Sequence, residues 1–278
     1  MNDMSLDLIS DLSLDNRDDT RRAILAYEDY VQDNLDQIEI PVKHYIHGGM
    51  YAREITIPKD TLITGQIYKF DHLDIMISGD ITVTTEMDGR KRITGYNTFK
   101  GMMGKKRAGY AHEDTTWVTI HPVGGEDGEK IQKMITAESF DELNEFHAKL
   151  NIDDYKLFVS QIGMTEEEIR AQSEHEGDMI DVVSDAVEIK DSIIEGFGVF
   201  AKKSFRIGDF ICTLRVEDKR TPYGKYTNHG LFANAAASLT EDSVDMVAIR
   251  DIVAGDEITM NYRQVLDTRI EGGDICQE

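Results

Sequence analysis

The chain has 278 residues, 40% of them hydrophobic and 30% charged, which is typical of a globular protein of about two domains. It carries 30 basic and 53 acidic residues, and its net charge of −23 argues against binding to nucleic acid. No apolar run approaches the roughly 18 residues of a membrane span, and acids stand where a secretion signal would carry bases, so we expect neither membrane insertion nor secretion. Two cysteines, Cys212 and Cys276, are too few for a disulfide framework, so we expect a reducing, cytoplasmic location.

Charge is unevenly distributed along the chain, and its shifts predict the domain boundaries. The successive segments have net charges of −8, +2, −12 and −5. They divide the chain into an acidic arm (1–40), a second segment (41–123), an acidic connector (124–186), a fourth segment (187–265) and a tail (266–278). From the strand and helix patterns of these segments we expect mainly β structure, with a β domain at 41–123, a helical connector and a second β domain at 187–265.

The acidic arm contains one amphipathic pattern. From Arg21 onward, apolar residues recur near one face of a helix, which predicts a docking helix. An arm that binds a partner or a sister subunit is the alternative. The apolar residues of this face are Ile24, Leu25, Tyr27, Val31 and Leu35.

The second segment, 41–123, has the sequence pattern of β-strands. Short β-branched and aromatic runs alternate with Gly, Pro and Asp, and Asp88-Gly89 is a typical hairpin pair. This spacing predicts an antiparallel sandwich or small barrel. The runs are Glu54–Ile57, Leu62–Phe70, Ile75–Ile77, Ile81–Thr85 and Trp117–Ile120.

The connector carries helical signals. Phe140, Leu143 and Leu150 recur at helix spacing, together with Phe146 or His147. Thr165 followed by Glu168 is a capping box that predicts the start of a short charged helix. We expect a helical spacer between the two domains.

The segment 44–123 resembles the cupin family in its strand rhythm and in Asp71–Asp80, where a glycine turn follows a run of sheet residues. The resemblance implies a jelly roll that can hold a metal between its strands. The family's ligand positions fall on Gln66, Tyr68, His72 and Arg107.

Of these four residues only His72 is a plausible metal ligand. A guanidinium stays protonated and has no acceptor, so Arg107 cannot ligate a metal. His47, His112 and His121 could converge on His72, but we expect a metal-free jelly roll used for assembly or for holding a ligand. The basic run from Lys100 through Lys105, Lys106 and Arg107 could meet an acidic neighbour.

Three motifs in the last ninety residues resemble, in order, those of the SET-domain protein-lysine methyltransferases. A glycine turn, Glu195–Ala201, precedes the strand pair that ends at Ile211. An Asn-His loop follows at Tyr226–Asn234, and Val247–Tyr262 matches the family's last strand, its acidic turn and its terminal tyrosine. The resemblance implies a compact SET-like β domain.

The resemblance also implies S-adenosylmethionine as cofactor and assigns the site residues. A lysine amine must arrive neutral although its ordinary pKa is about 10.4, so such a site needs a partly desolvated channel and a phenol near the reacting centre. By resemblance Tyr262 is the catalytic phenol. The implied cofactor-binding residues are Gly196, Phe197, Gly198, Asn228 and His229.

Departures from the SET pattern leave catalysis open. Gly230 and Ala233 replace the small polar residue and the proline of the Asn-His loop, and Asn261 replaces an aspartate. Only the fourteen residues Cys212–Lys225 separate the preceding strand from this loop, where active relatives carry a longer insert that forms one wall of the lysine channel. A partner subunit could supply that wall.

The sequence therefore supports two functional hypotheses. The first is an S-adenosylmethionine-dependent protein-lysine methyltransferase of the compact viral SET type, whose acidic surface suits a basic substrate protein. The alternative is a non-catalytic, homo-oligomeric bacteriophage assembly or virion protein, located in the host cytoplasm or the virion. Both readings expect a basic protein partner and neither expects a metal.

Overall fold

The computed structural model describes residues 17–85, 89–173 and 179–265 of the chain. These fall into two compact units, 18–144 and 145–265. The boundary lies inside a helix, so the segment predicted as a separate connector is divided between the two units. The start of the predicted arm and the predicted C-terminal tail lie outside the described residues.

The helices follow the predicted pattern in the arm and the connector. No helix among the described residues is both long and apolar enough to cross a membrane. The helices are α1 (Arg17–Asn34), α2 (Gly128–Ile135), α3 (Phe140–Ile162), α4 (Glu166–Ser173) and α5 (Pro222–Tyr226).

Strands dominate the rest of both units, so the prediction of a mainly β protein with helices is confirmed. In the first unit they are β1 (Val42–His47), β2 (Met50–Ile57), β3 (Leu62–Thr64), β4 (Ile67–Tyr68), β5 (His72–Thr85), β6 (Gly89–Thr94), β7 (Asn97–Gly101), β8 (Ala108–His121) and β9 (Thr136–Ala137). In the second they are β10 (Val187–Asp191), β11 (Phe197–Ala201), β12 (Phe210–Val216), β13 (Lys219–Arg220), β14 (Asn228–His229), β15 (Ala235–Leu239), β16 (Ser243–Ala248) and β17 (Glu257–Met260).

The first unit is built on a seven-stranded antiparallel sheet in the order β1-β2-β8-β5-β6, with β3 on β8 and β7 on β5. The long strands β5 and β8 pair along most of their length, and their register shifts between Met76 and Ile81. Gly79 lies in this irregular stretch at φ +117°, where a Cβ atom would come within 2.4 Å of Thr115 Oγ1. Glycine is therefore required there for both conformation and space. The hairpin turn predicted at Asp88 lies outside the described residues, although the strands on either side of it pair.

Helix α1 packs on this unit with a narrower face than predicted. Ile24 and Tyr27 are buried, and Val31 packs beside them. Leu25 is 38% exposed because it lies about 100° around the helix from Ile24. Leu35 is 40% exposed because it follows the last helical residue.

The second unit is built on an eight-stranded sheet in the order β10-β11-β17-β15-β16-β12-β13. Its last strand, β17, pairs in parallel with both β14 and β15. Asn234 joins these segments: its amide donates to the carbonyl of Glu257 at 2.8 Å and accepts the N–H of Thr259 at 2.9 Å. The segment that carries Asn228 and His229 is thereby fixed against the end of β17.

The predicted capping box is present at the start of α4. Glu168 accepts the backbone N–H of Thr165 at 2.8 Å, and Thr165 Oγ1 accepts the N–H of Glu168 at 3.2 Å. This reciprocal pair satisfies two donors that the first turn of a helix leaves free. It fixes where α4 begins.

Candidate functional site

The second unit contains a cleft of about 900 Å³. This volume lies in the range of ligand-binding pockets, about 300–1,000 Å³. Five of the six site residues named from the sequence line it, namely Gly196, Phe197, Asn228, His229 and Tyr262. Segments far apart in sequence therefore meet at one site.

Gly196 makes the turn that borders the cleft. Its φ is +51°, its carbonyl accepts the N–H of Ser192 at 2.9 Å, and no atom lies within 4 Å of the position a Cβ would take. The neighbouring Phe197 is 50% exposed and meets the ring of Tyr226 edge to face at 5.7 Å. The turn thus offers open backbone and one aromatic side chain to the cleft.

Gly198 does not line the cleft, although the motif groups it with Gly196. A Cβ atom on Gly198 would lie 2.3 Å from Glu257 Oε1. Glycine at this position allows β11 and the Glu257 carboxylate to approach closely, so its role in the structure is packing.

Asn228 fixes the loop to the glycine turn. Its amide nitrogen donates to the carbonyls of Glu195 at 3.3 Å and Phe197 at 3.1 Å, and to Glu257 Oε1 at 2.8 Å. The hydroxyl of Ser192 also donates to Glu257, at 2.8 Å. The amide nitrogen of Asn228 is therefore engaged within the protein, and Glu257 holds it from behind the cleft lining, a role that no motif of the sequence indicated.

Both ring nitrogens of His229 are engaged. Nδ1 accepts the backbone N–H of Tyr262 at 3.2 Å, so the proton resides on Nε2, which donates to Asp154 Oδ2 at 2.8 Å. Burial lowers the pKa of His229 below its ordinary value, although Asp154 opposes this shift. The imidazole is thus neutral and orients the loop instead of acting as a free acid or base.

Tyr262 places its phenol at the cleft. The hydroxyl donates to the carbonyl of Thr227 at 2.7 Å, which leaves the oxygen lone pairs available as acceptors. The ring meets His229 edge to face at 5.1 Å and Tyr155 at 6.0 Å. Burial raises the pKa of Tyr262 well above its usual range, so the phenol stays neutral.

Asp154, on helix α3, is the residue on which this network converges. Its Oδ2 accepts hydrogen bonds from both His229 and Arg263. Although burial acts to raise it, these hydrogen bonds hold the pKa of Asp154 below its ordinary value. No sequence pattern indicates this role, because Asp154 is one acid among many in the segment predicted as a spacer.

Helices α3 and α4 form part of the cleft wall. Residues of α3 that line it include Asn151, Tyr155 and Phe158, and α4 contributes Ile169. The short segment before the Asn-His loop predicts that this part of the chain does not form one wall of the cleft. In the structure, helices from the predicted connector line the cleft in the same unit.

The charges of the cleft lining differ from those of the whole chain. Four basic residues, Lys156, Arg215, Arg220 and Lys225, line it, against the acids Glu166 and Glu195. With His229 neutral, the formal charge of the lining is positive in a protein of net charge −23. The negative net charge of the chain therefore does not extend to the residues that line the cleft.

The four cupin positions named from the sequence also come together in space. Gln66, Tyr68, His72 and Arg107 line a cavity of about 140 Å³ in the first unit. The four positions that the cupin resemblance assigned therefore border the same cavity.

Only one of the three other histidines reaches His72. The ring of His121 lies 4.9 Å from it, whereas His112 bonds the hydroxyl of Thr82 and His47 is exposed. His72 Nδ1 donates to the carbonyl of Phe70 at 3.1 Å, and the residues that the structure describes hold no group of three or more His, Cys, Asp or Glu suited to a metal ion. The residues present do not fit a metal at this position.

Comparisons with known proteins give structural likenesses only. No protein-family model matches the sequence, and no curated protein matches it. Ectoine synthase from P. lautus is 16% identical, with 40% of this chain and 84% of that chain covered, at a TM-score of 0.30. KdgF from Halomonas sp. is 17% identical over 31% and 81% of the two chains, at a TM-score of 0.27. A cupin-2 domain containing protein from Shewanella frigidimarina is 11% identical over 34% and 91%, at a TM-score of 0.25.

The chain is therefore similar over about a third of its length to solved structures that include cupins. Likenesses with TM-scores this low carry no argument about ligand or reaction. The second unit is a β-sheet domain, and nothing in these comparisons supports its resemblance to the SET family.

Proposed function

We propose that the second unit is an S-adenosylmethionine-dependent protein-lysine methyltransferase of compact SET type. The observation that supports this most is the convergence of Gly196, Asn228, His229 and Tyr262 on one cleft of about 900 Å³. Three separate motifs meet there through the parallel pairing of β14 and β15 with β17.

The cleft fits a nucleoside cofactor in size and in lining. The open backbone at Gly196 would border it, and the half-exposed ring of Phe197 offers a face against which a purine can pack. Asn228 and His229 would act by fixing the loop, because the amide nitrogen of Asn228 and both ring nitrogens of His229 are engaged within the protein. When bound, S-adenosylmethionine supplies an electrophilic methyl group on a sulfonium.

Tyr262 would orient the incoming amine. Its hydroxyl hydrogen is directed to the carbonyl of Thr227, so its oxygen presents lone pairs to a donor such as a lysine N–H. Because the phenol stays neutral, it serves as a fixed dipole and does not remove the proton. Orientation is then its main contribution.

The basic lining would favour the neutral form of the substrate amine. Nearby cations disfavour a second positive charge, so they lower the pKa of a lysine that enters the cleft. The same side chains, such as Arg220 and Lys225, can pair with the cofactor's carboxylate. The acidic remainder of the surface would attract a basic substrate protein from a distance.

The test separates cofactor binding from methyl transfer. Calorimetry of the full chain with S-adenosylhomocysteine should give saturable binding, and labelled S-adenosylmethionine should transfer its methyl group to lysine-bearing peptides. Tyr262→Phe should retain the binding and lose the transfer. Tyr223→Phe is the matched control, because the Tyr223 hydroxyl is also buried and bonded to backbone but lies outside the cleft. Absence of binding, or equal transfer by both variants, would overturn the proposal.

Exposed apolar side chains favour a second candidate, an assembly protein that docks a second copy of itself. Ile207 and Phe210 are 66% and 57% exposed, and Ile249 is 38% exposed on a neighbouring segment. Large exposed apolar side chains of this kind are typical of docking surfaces. Light scattering should then give a dimer or larger oligomer that Phe210→Asp dissociates, and a monomer at all concentrations would exclude it.

A further inference from the structure

We propose that the interior cavity of the first unit binds a small organic carboxylate with a short apolar tail. This site is separate from the cleft and does not depend on the methyltransferase proposal. The cavity is a half-open pocket lined by residues of the seven-stranded sheet, and its volume is about 140 Å³. A cavity of about 150 Å³ is known to hold a single benzene ring, so the part of a ligand that enters this pocket must be small.

The charge of the lining selects an anion. Arg53, Lys105 and Arg107 line the cavity, and Asp74 is the one acid among its lining residues. These four groups carry a formal charge of +2 in a chain of net charge −23. An interior basic site in so acidic a protein indicates a ligand of negative charge.

The single acid does not cancel this preference, because its oxygens are already occupied. Asp74 Oδ1 accepts hydrogen bonds from Trp117 Nε1 at 3.0 Å and from Thr119 Oγ1 at 3.1 Å. Its Oδ2 accepts one from Arg107 at 2.8 Å and lies 3.5 Å from His72 Nε2. Asp74 and Arg107 thus form a neutral pair, which leaves Arg53 and Lys105 as the basic groups of the lining with no acid opposite them there.

Two polar atoms at this end of the cavity lack a partner. Arg53 Nε and Gln66 Oε1 are buried and have no hydrogen-bond partner in the structure. A buried donor without a partner costs free energy, and a carboxylate that accepts from Arg53 Nε would remove that cost. Gln66 Oε1 is itself an acceptor, so a carboxylate would not pair with it and it does not count toward an anion. The unpaired Nε is the second, independent observation in favour of an anion.

The other side of the cavity is apolar, which argues for an organic tail. Aliphatic side chains form this side, namely Ile55, Ile57, Ile63, Ile81, Val83 and Met102. Inorganic phosphate would leave this surface without a contact. A short branched carboxylate would place its charge near Arg53 and bury its tail among these residues.

The molecule carries its own reporter for this site. Trp117 is the single tryptophan of the chain, lines the cavity and stacks on Phe99 at 5.5 Å. Because its indole nitrogen donates to Asp74, a ligand that enters the cavity should change its fluorescence.

The experiment is a fluorescence titration of the full chain with 3-methylbutanoate. We expect a saturable change with this acid, a weaker one with acetate, which lacks the tail, and none with the neutral 3-methylbutanamide. Arg53→Met should weaken binding of the acid about tenfold or more, as expected for the loss of a charge-assisted hydrogen bond. Arg92→Met is the matched control, since Arg92 lies in the same sheet, outside the cavity, paired with Asp80.

Circular dichroism decides whether Arg53→Met is folded, and Lys105→Met provides a second variant if it is not. A flat titration into the tens of millimolar, equal binding of the amide, or unchanged affinity in folded Arg53→Met would overturn the proposal. Tight binding of the acid that is lost in Arg53→Met and kept in Arg92→Met would support it. Neither result depends on whether the cleft of the second unit binds S-adenosylhomocysteine.

Discussion

Replacement of Asp154 tests whether one carboxylate on α3 holds the loop of the candidate site. Asp154→Ala removes the acceptor of both His229 Nε2–H and the Arg263 guanidinium. Hydrogen bonds to a charged group contribute about 1.5–3 kcal/mol each, so we expect the second unit to lose about 2–4 kcal/mol of stability. Asp154→Asn keeps an acceptor oxygen for His229 but loses the charge that pairs with Arg263, and should cost about 1–2 kcal/mol.

The assay must report on the second unit alone, because the single tryptophan lies in the first. Hydrogen exchange followed by mass spectrometry meets this need, and the segments 228–232 and 259–263 should lose protection in both variants. Asp153→Asn is the matched control: this neighbour is 53% exposed and pairs only with Lys149 of its own helix. Such a pair contributes at most about 0.5 kcal/mol. Equal protection in Asp154→Asn and Asp153→Asn would refute the role given to Asp154.

The carboxylate of Asp154 also determines the pH below which the loop loses stability. Because the pKa of Asp154 is lowered on folding, its contribution is fully present above the unfolded value of about 3.9. The stabilising contribution of Asp154 is lost as the pH falls further, through the lower pKa of Asp154 in the folded protein. Protection of segment 228–232 should therefore fall below about pH 4 in the natural protein, and Asp154→Asn should lack this component.

Two further predictions concern the first unit. Burial, with a smaller effect from His72, lowers the pKa of His121 to about 4, below the unfolded value of about 6.5. The first unit should therefore lose up to about 3 kcal/mol of stability as the pH falls from about 6.5 to 4. His121→Phe should reduce this loss in urea titrations followed by Trp117 fluorescence. An identical loss in the variant would contradict the prediction. Gly79→Ala should destabilise the unit by about 3 kcal/mol or more, because its Cβ would lie 2.4 Å from Thr115 Oγ1. Gly95 also has a positive φ, but no atom lies within 4 Å of the position its Cβ would take, so Gly95→Ala should cost only about 1–2 kcal/mol in the same titration. Similar losses in the two variants would show that crowding at Gly79 is not the cause.

Local patterns predicted the elements well. The Thr165–Glu168 capping box and the helical spacing after Phe140 are properties of neighbouring residues, so they hold whatever the rest of the chain does. The grouping of Gln66, Tyr68, His72 and Arg107 came from the cupin resemblance and not from a local pattern, and in the structure all four line one cavity.

Other features depend on tertiary packing and left no local signal. Gly196 and Gly198 are indistinguishable in the motif, yet one borders the cleft and the other makes room for Glu257. The role of Asp154 follows from where α3 packs, and no spacing within the helix encodes that position. The basic lining of the cleft was hidden because its members come from segments whose average charge is acidic.

The helix that carries Asp154 restricts how this protein can be divided. A fragment that began at residue 187, where the motifs begin, would retain His229 and Arg263 but discard the carboxylate that accepts from both. It would also lack Tyr155 and Phe158, whose rings flank the terminal tyrosine. The smallest autonomous piece therefore extends upstream of its recognisable signature, and recombination or truncation at the signature's edge should yield an insoluble or poorly folded product.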